Sequence, residues 1–226
     1  MLSNLCYTLR MKSLNSKEVK STLKLVLSIL EKHKVNYRVI GSVCTAAIIG
    51  HQHRKLGDID LIIDSSKKRE VLEELYEEGF YHRGGMFAFA RKYLDLDSLE
   101  HDEYLEVGMF WGTWENDDFI IGSRSNGITI DKKALVKLNC VLHGENFIGI
   151  PKEVVARGLR MSSGNPKRKV AIKFFDKNDI RPMANDYIHT NILGLNIDFV
   201  YYVAMQLLNI IGFVRVKLNK PFDPWR

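Results

Sequence analysis

The chain has 226 residues, 46% of them hydrophobic, with 33 Lys and Arg against 27 Asp and Glu. That is enough apolar material for the packed core of one large domain or two small ones. Cys6, Cys44 and Cys140 are few, scattered and odd in number, which excludes a disulfide framework and a Cys-x-x-Cys metal site and favours a reducing compartment.

Met1–Arg10 lacks the basic start, long apolar core and cleavage site of a signal peptide, so a cytoplasmic location is expected. Asn15 with Glu18 reads as a capping-box-like helix start. Leu23, Val26, Leu27 and Leu30 then share one face, up to His33-Lys34. Tyr37 to Ile40 is the first strand, and the small apolar run Val43 to Ile49 is a short buried helix. A second strand runs from Asp58 to Asp64, and Ser65-Ser66 opens a helix with Val71, Leu72 and Leu75 inward, ended by Gly79. Phe80 to His82 and Met86 to Ala90 are expected to pair across Arg83-Gly84-Gly85. Tyr104 to Trp111 reads as a strand, and Val136 to Leu142 pairs with Phe147 to Ile150 around His143-Gly144-Glu145-Asn146. Pro151-Lys152-Glu153 opens a helix, residues 161–166 form the loop that follows it, and Phe199 to Phe213 is a buried helix with a dimer contact as the alternative. That last run, broken by Gln206 and Asn209, is shorter than the roughly 20 residues of a membrane span. Strands and helices alternate early and helix dominates late, which indicates an α/β (α+β) architecture.

The chemistry is concentrated between Val39 and Asp64. Asp58 and Asp60 alternate with Ile59 and Leu61, so both carboxylates project from one face of their strand, about 7 Å apart. Two carboxylates so placed resist ionising together unless a cation sits between them, and a divalent metal is the economical reason for the pair. Upstream, Gly41 permits close backbone approach to a ligand and Ser42 adds a hydroxyl. The helix that begins there offers free N–H groups to a phosphate. Together these describe a site for a metal–nucleotide complex. The His51-Gln52-His53 pair of imidazoles is a weak zinc signal without a third ligand nearby.

The order strand, Gly-Ser, short helix, basic loop, Asp-x-Asp strand resembles the polymerase-beta-type nucleotidyltransferase superfamily. Within it, the chain is most similar to stand-alone abortive-infection toxin-type enzymes and aminoglycoside nucleotidyltransferases. The pattern spans Val39 to Glu106. The resemblance implies a mixed sheet flanked by helices, with a nucleotidyltransferase core over residues 1–150 and a helical, basic region over 151–226. It implies that Gly41 and Ser42 contact the triphosphate, that Asp58 and Asp60 bind Mg²⁺ (or Mn²⁺), and that a later carboxylate completes the metal site. Glu106 stands alone on the polar-facing side of the Tyr104–Trp111 strand and is the favoured third ligand, with Asp102, Glu103, Asp117 and Asp118 as competitors. Arg54 and Lys55 are candidate phosphate or acceptor contacts. Arg157, four residues after Glu153, takes the offset of a triphosphate-binding Lys in similar toxins. Relatives also carry a Lys-Asp pair on the next helix, and Lys167-Arg168-Lys169 departs from it.

The implied reaction moves a nucleoside monophosphate from an NTP to an acceptor hydroxyl, using two Mg²⁺ ions about 4 Å apart. A separate general base is optional, with Asp64 and Glu106 both open for the role. Residues 1–150 hold 20 Lys and Arg against 21 Asp and Glu, whereas residues 151–226 hold 13 against 6. That basic surplus favours RNA, tRNA ends especially, as acceptor, with Lys167-Arg168-Lys169 on its backbone and a cognate antitoxin as a further partner. The alternatives are a small hydroxylated molecule such as an aminoglycoside, a protein, or a non-catalytic nucleotide-binding module.

Overall fold

The computed structural model describes residues 15–83, 95–116, 118–124, 127–161, 165–184, 187–192, 195–196 and 198. Cys6, the Met86–Ala90 strand, Asp117, residues 162–164 of the 161–166 loop and the Phe199–Phe213 helix lie outside them.

Helix α1 (Ser16–Lys32) buries Val19, Leu23, Val26, Leu27, Ile29 and Leu30 at helical spacing, and emptying one of the Leu sites would cost about 2–5 kcal/mol. The expected capping box does not form. The Asn15 amide instead donates to the Leu56 carbonyl at 2.7 Å while its oxygen accepts from Leu56 N–H, fastening the helix start to the loop before the Asp-x-Asp strand.

Strand β1 (Tyr37–Ile40) leads straight into α2 (Gly41–Ile49), and β2 (Asp58–Asp64) returns antiparallel to β1 with Ile40 opposite Asp60. A short 3₁₀ turn, Ser65–Lys67, precedes α3 (Lys68–Glu77). Its cap is Asp64, which accepts from Ser66 N–H at 2.8 Å, not the expected serines. Asp64 therefore sits at the far end of β2, six residues and about 20 Å along the strand from Asp58, which removes it as a general base.

β3 (Tyr81–His82) pairs antiparallel with β4 (Leu96–Glu100), and β4 with β5 (Glu106–Glu115). Tyr81–His82 thus pairs with β4, while the expected partner, Met86–Ala90, lies outside the described residues. β5 is the long central strand. Its first part runs parallel to β2 and its last residues pair with β6 (Asp118–Gly122), which continues to β7 (Gly127–Ile130). β8 (Leu138–Leu142) and β9 (Glu145–Gly149) form a hairpin about His143 and Gly144, both at positive φ as a two-residue turn requires. β9 joins β1 in parallel. Helices α4 (Lys152–Met161) and α5 (Lys169–Lys177) follow, joined through a 3₁₀ turn at Pro166–Arg168.

β10 (Ile188–Ile192) pairs with β7 and with β11 (Leu195–Asn196), so part of the 151–226 region returns to the sheet. The strand order is β11-β10-β7-β6-β5-β2-β1-β9-β8, with β4 and β3 branching from β5. This is the expected mixed sheet flanked by helices. Leu105, Val107, Met109 and Trp111 of the expected alternating strand are all buried, as are Cys44 and Cys140. Among the described residues no helix is long and apolar enough to cross a membrane.

Candidate active site

The site lies where β1 passes into α2, beside the first residues of β2 and β5. Pairing does the positioning. Ile40 is opposite Asp60 across β1 and β2, while Asp58 faces Glu106 and Asp60 faces Gly108 across β2 and β5. Two glycines leave room for the Asp60 carboxylate. A Cβ on Gly41 would collide with Asp60 Oδ2, and one on Gly108 would stand 2.8 Å from Oδ1. Gly41 also holds φ at 65°, in the left-handed region that favours glycine. Helix α2 opens there without a side-chain cap, leaving its first-turn N–H groups to an incoming acceptor. The Ser42 hydroxyl donates to Asp58 Oδ1 at 3.3 Å, and the Thr45 hydroxyl turns back to the Gly41 carbonyl at 2.8 Å.

Electrostatics single out Asp60. Burial, then the charges of Asp58 and Glu106, push its carboxyl up to about 7, with the Arg168 guanidinium pulling the other way. Arg54 acts on Asp58, and Arg168 on Asp60, through their charges. Burial pulls both guanidiniums down, Arg54 adds its repulsion to Arg168, and Asp58 and Asp60 respectively offset part of the effect. Two cations that repel one another beside an acidic pair are suited to an anion carried with a metal.

Gln52, which the sequence pattern did not mark, organises the basic loop from a buried position. Its amide donates to Asn15 Oδ1 at 2.9 Å and to the Arg54 carbonyl at 3.0 Å, and its oxygen lies 2.7 Å from His143 Nε2. His53 beside it is held neutral, its pKa lowered to about 4 by burial and then by Arg54 and His51. Among the described residues no third ligand joins the imidazoles.

The expected residues are therefore brought together unequally. Gly41 abuts the Asp60 carboxylate, Ser42 bonds Asp58, Glu106 pairs in register with Asp58, and Arg54 acts on Asp58 through its charge. Lys55 is exposed on the loop, and Arg157 is half-buried on α4. The cation from the second half of the chain that bears on Asp60 is Arg168, the middle of the three residues read as an RNA contact. Its guanidinium donates to the Gly158 carbonyl at 2.7 Å, while Lys167 and Lys169 are exposed. Asp102 is exposed in the turn before β5, and Asp118 pairs with Arg124 at 3.5 Å.

Hard oxygen donors whose mutual repulsion raises one pKa fit a divalent cation. Even so, among the described residues no three acidic, His or Cys side chains converge as a ready ligand set. Asp58 and Asp60 share their strand face, but Glu106 is engaged elsewhere. Its Oε2 accepts from Arg83 at 2.6 Å and its Oε1 from the Ser98 hydroxyl at 2.5 Å.

Comparison with known proteins bears on the fold. A sequence model of the aminoglycoside-2''-adenylyltransferase family matches residues 22–103, from α1 through β4, and so includes Gly41, Ser42, Asp58 and Asp60 but stops short of Glu106. No curated protein matches the chain. The lincosamide antibiotic adenylyltransferase LnuA, solved with lincomycin bound, is similar in fold, with a TM-score of 0.56 at 20% identity over 72% of this chain and 97% of that one. The antibiotic-resistance factor ANT(2'')-Ia, in its solution structure, gives a TM-score of 0.54 at 13% identity, covering 90% of this chain and 97% of its own. The same factor crystallised with adenylyl-2''-tobramycin gives 0.50 at 13% identity, over 87% and 99%. The fold is thus that of the polymerase-beta-type nucleotidyltransferases, as the resemblance implied.

Proposed function

We propose that this chain, whose fold is that of the polymerase-beta-type nucleotidyltransferases, moves a nucleoside monophosphate from an NTP to a hydroxyl of a small molecule of the antibiotic class. The observation that carries transfer chemistry is the Asp60 carboxylate, held between Gly41 and Gly108 beside Asp58, with the charge of Arg168 acting on it and that of Arg54 on Asp58. A dead scaffold gains nothing from keeping that repulsion.

Asp58 and Asp60 are the residues to hold a divalent cation, with Glu106 the third when freed. Once bound, that cation supplies positive charge for the triphosphate and for the acceptor hydroxyl. The protein's own part is mostly positioning. The free N–H groups at the start of α2 and the Ser42 hydroxyl face the outer phosphates. Arg54 and Arg168 neutralise the charge that grows on departing pyrophosphate. The acceptor hydroxyl attacks the α-phosphorus, its bond forms as the bond to pyrophosphate breaks, and its proton passes to solvent or to Glu106.

The acceptor is read from the matched family, named for an aminoglycoside position, and from the lincosamide and aminoglycoside enzymes that share the fold. An RNA acceptor and an antitoxin partner take second place. The basic triplet meant for RNA is split, with Arg168 half-buried and acting on Asp60 through its charge while Lys167 and Lys169 are exposed. Incubation with each labelled NTP, Mg²⁺ and either an aminoglycoside and lincosamide panel or total RNA tests the reading. Label in the antibiotics, absent with Asp60→Asn, is expected; label confined to RNA would overturn the small-molecule acceptor.

A further inference from the structure

The Glu106 carboxylate is bound on both oxygens by groups of the protein itself, and the arrangement that binds it is built rather than incidental. Arg83 follows β3 by one residue, and its N–H continues the β3–β4 pairing by donating to the Ser98 carbonyl at 2.9 Å. The backbone is thereby fixed, and the side chain reaches across β4 to β5. There Nη1 holds Glu106 Oε2 at 2.6 Å and Nε lies 3.2 Å from Glu100 Oε1. Ser98 itself occupies Glu106 Oε1 through its hydroxyl. The Arg83 and Glu106 side chains are only 21% and 24% exposed, so solvent screens the pair weakly.

Asp58, Asp60 and Glu106 bring three acids together, and Arg83 is the cation bound directly to one of them. It relieves repulsion whenever no metal is bound. The same bond opposes the metal, because Glu106 cannot turn towards a divalent ion without giving up a charge-assisted hydrogen bond.

We propose that Arg83 is a displaceable internal cation on Glu106, a positioning residue that holds the third carboxylate away from a divalent metal and so sets how tightly that metal binds. The proposal rests on the nucleotidyltransferase reading of Asp58 and Asp60. Metal entry exchanges one cation for another: Arg83 leaves Oε2 as the ion arrives, and Glu100 retains the guanidinium. Ser98 keeps its hold on Oε1 and fixes the plane of the carboxylate.

Binding of Mn²⁺ to the full chain, followed by calorimetry and by the loss of free-ion paramagnetic resonance, provides the test without turnover. Arg83→Gln is expected to tighten Mn²⁺ binding roughly tenfold, the scale of one hydrogen bond to a charged group, while lowering the metal-free melting temperature. A merely structural ion pair would lower both. In a Glu106→Gln background the effect of Arg83→Gln on Mn²⁺ affinity should vanish, since the carboxylate it restrains has lost its charge. Unchanged or weaker binding in Arg83→Gln, or the same tightening with Glu106 already replaced, overturns the proposal while leaving the functional reading standing. Wild type and Asp58→Asn that alike bind no Mn²⁺ would overturn both.

Discussion

Gly108 stands directly opposite Asp60 across the parallel β2–β5 pairing, and a methyl group in place of its α-hydrogen would press to 2.8 Å from Asp60 Oδ1. With Gly41 on the other side, the carboxylate occupies room that two missing side chains leave. Gly108→Ala should therefore fold, since β5 accepts alanine, yet turn Asp60 out of its place. A displacement of about 1 Å at a reacting centre can cost roughly a hundredfold in rate. We expect a loss of that order in kcat/KM with little change in melting temperature. Near wild-type kcat/KM in Gly108→Ala would show that the Asp60 position is not critical.

Asp58→Asn and Asp60→Asn each remove a charge and almost no volume. Loss of about 4 kcal/mol of transition-state stabilisation is roughly a thousandfold in rate, and both variants should fall at least that far in single-turnover transfer. Circular dichroism should show the wild-type fold in each. A variant that retained near wild-type transfer would remove the carboxylate pair from the chemistry.

The raised pKa of Asp60 makes a statement about stability. Its folded value of about 7 lies above the ordinary aspartate value of 3.8, so between these limits the native protein binds more protons than the unfolded chain. Stability from this group is fully present below pH 3.8 and is lost as pH rises through 7. Urea midpoints in EDTA, compared between wild type and Asp60→Asn, should show wild type losing ground across that window and then levelling. Added Mn²⁺ should recover the loss above the folded pKa. A difference between the two proteins that is flat with pH would contradict the half-buried, repelled state of Asp60.

The early fold was legible because its residues obey one period at a time. Tyr37 to Ile40 and Asp58 to Asp64 alternate or run apolar between clear breaks, and the small residues of 41–49 fit only a short buried helix. β4 escaped because Asp97 and Ser98 are buried polar residues, so its pattern reads as a loop. β6 escaped beside its acidic start. The site was half legible. Glycine, serine and two aspartates carry their geometry in local spacing. Arg83 on Glu106, Gln52 joining Asn15 to His143, and Arg168 near Asp60 are long-range interactions that no spacing encodes.

Glu106, Asp102 and Asp118 differ in position, while Asp117 lies outside the described residues. Glu106 pairs in register with Asp58, Asp102 is exposed in a turn, and Asp118 belongs to an ion pair with Arg124 at the start of β6. Glu106→Gln should lower kcat at least a hundredfold, within the range that a metal ligand or a general base supplies. Asp102→Asn and Asp118→Asn should stay within about twofold, as surface substitutions away from a site ordinarily do. The kcat values of all three decide it. An active Glu106→Gln enzyme would reopen the identity of the third carboxylate.

Arg168 separates the two acceptor readings. If it serves the triphosphate, Arg168→Gln should raise the KM for NTP roughly tenfold or more, the scale of losing a hydrogen bond to a charged group. Lys167→Gln and Lys169→Gln, both exposed, should leave that KM unchanged. If the triplet instead tracked a nucleic-acid backbone, all three replacements would weaken RNA binding alike, each flattening its salt dependence by up to about 0.7–0.9 for every phosphate no longer neutralised. Arg168 bears on Asp60 and Arg54, and its neighbours on the same turn are open to solvent, so the first pattern is the expected one. Equal salt-slope changes in all three variants, with the KM for NTP untouched, would move Arg168 from the triphosphate to RNA and reverse the order of the acceptors.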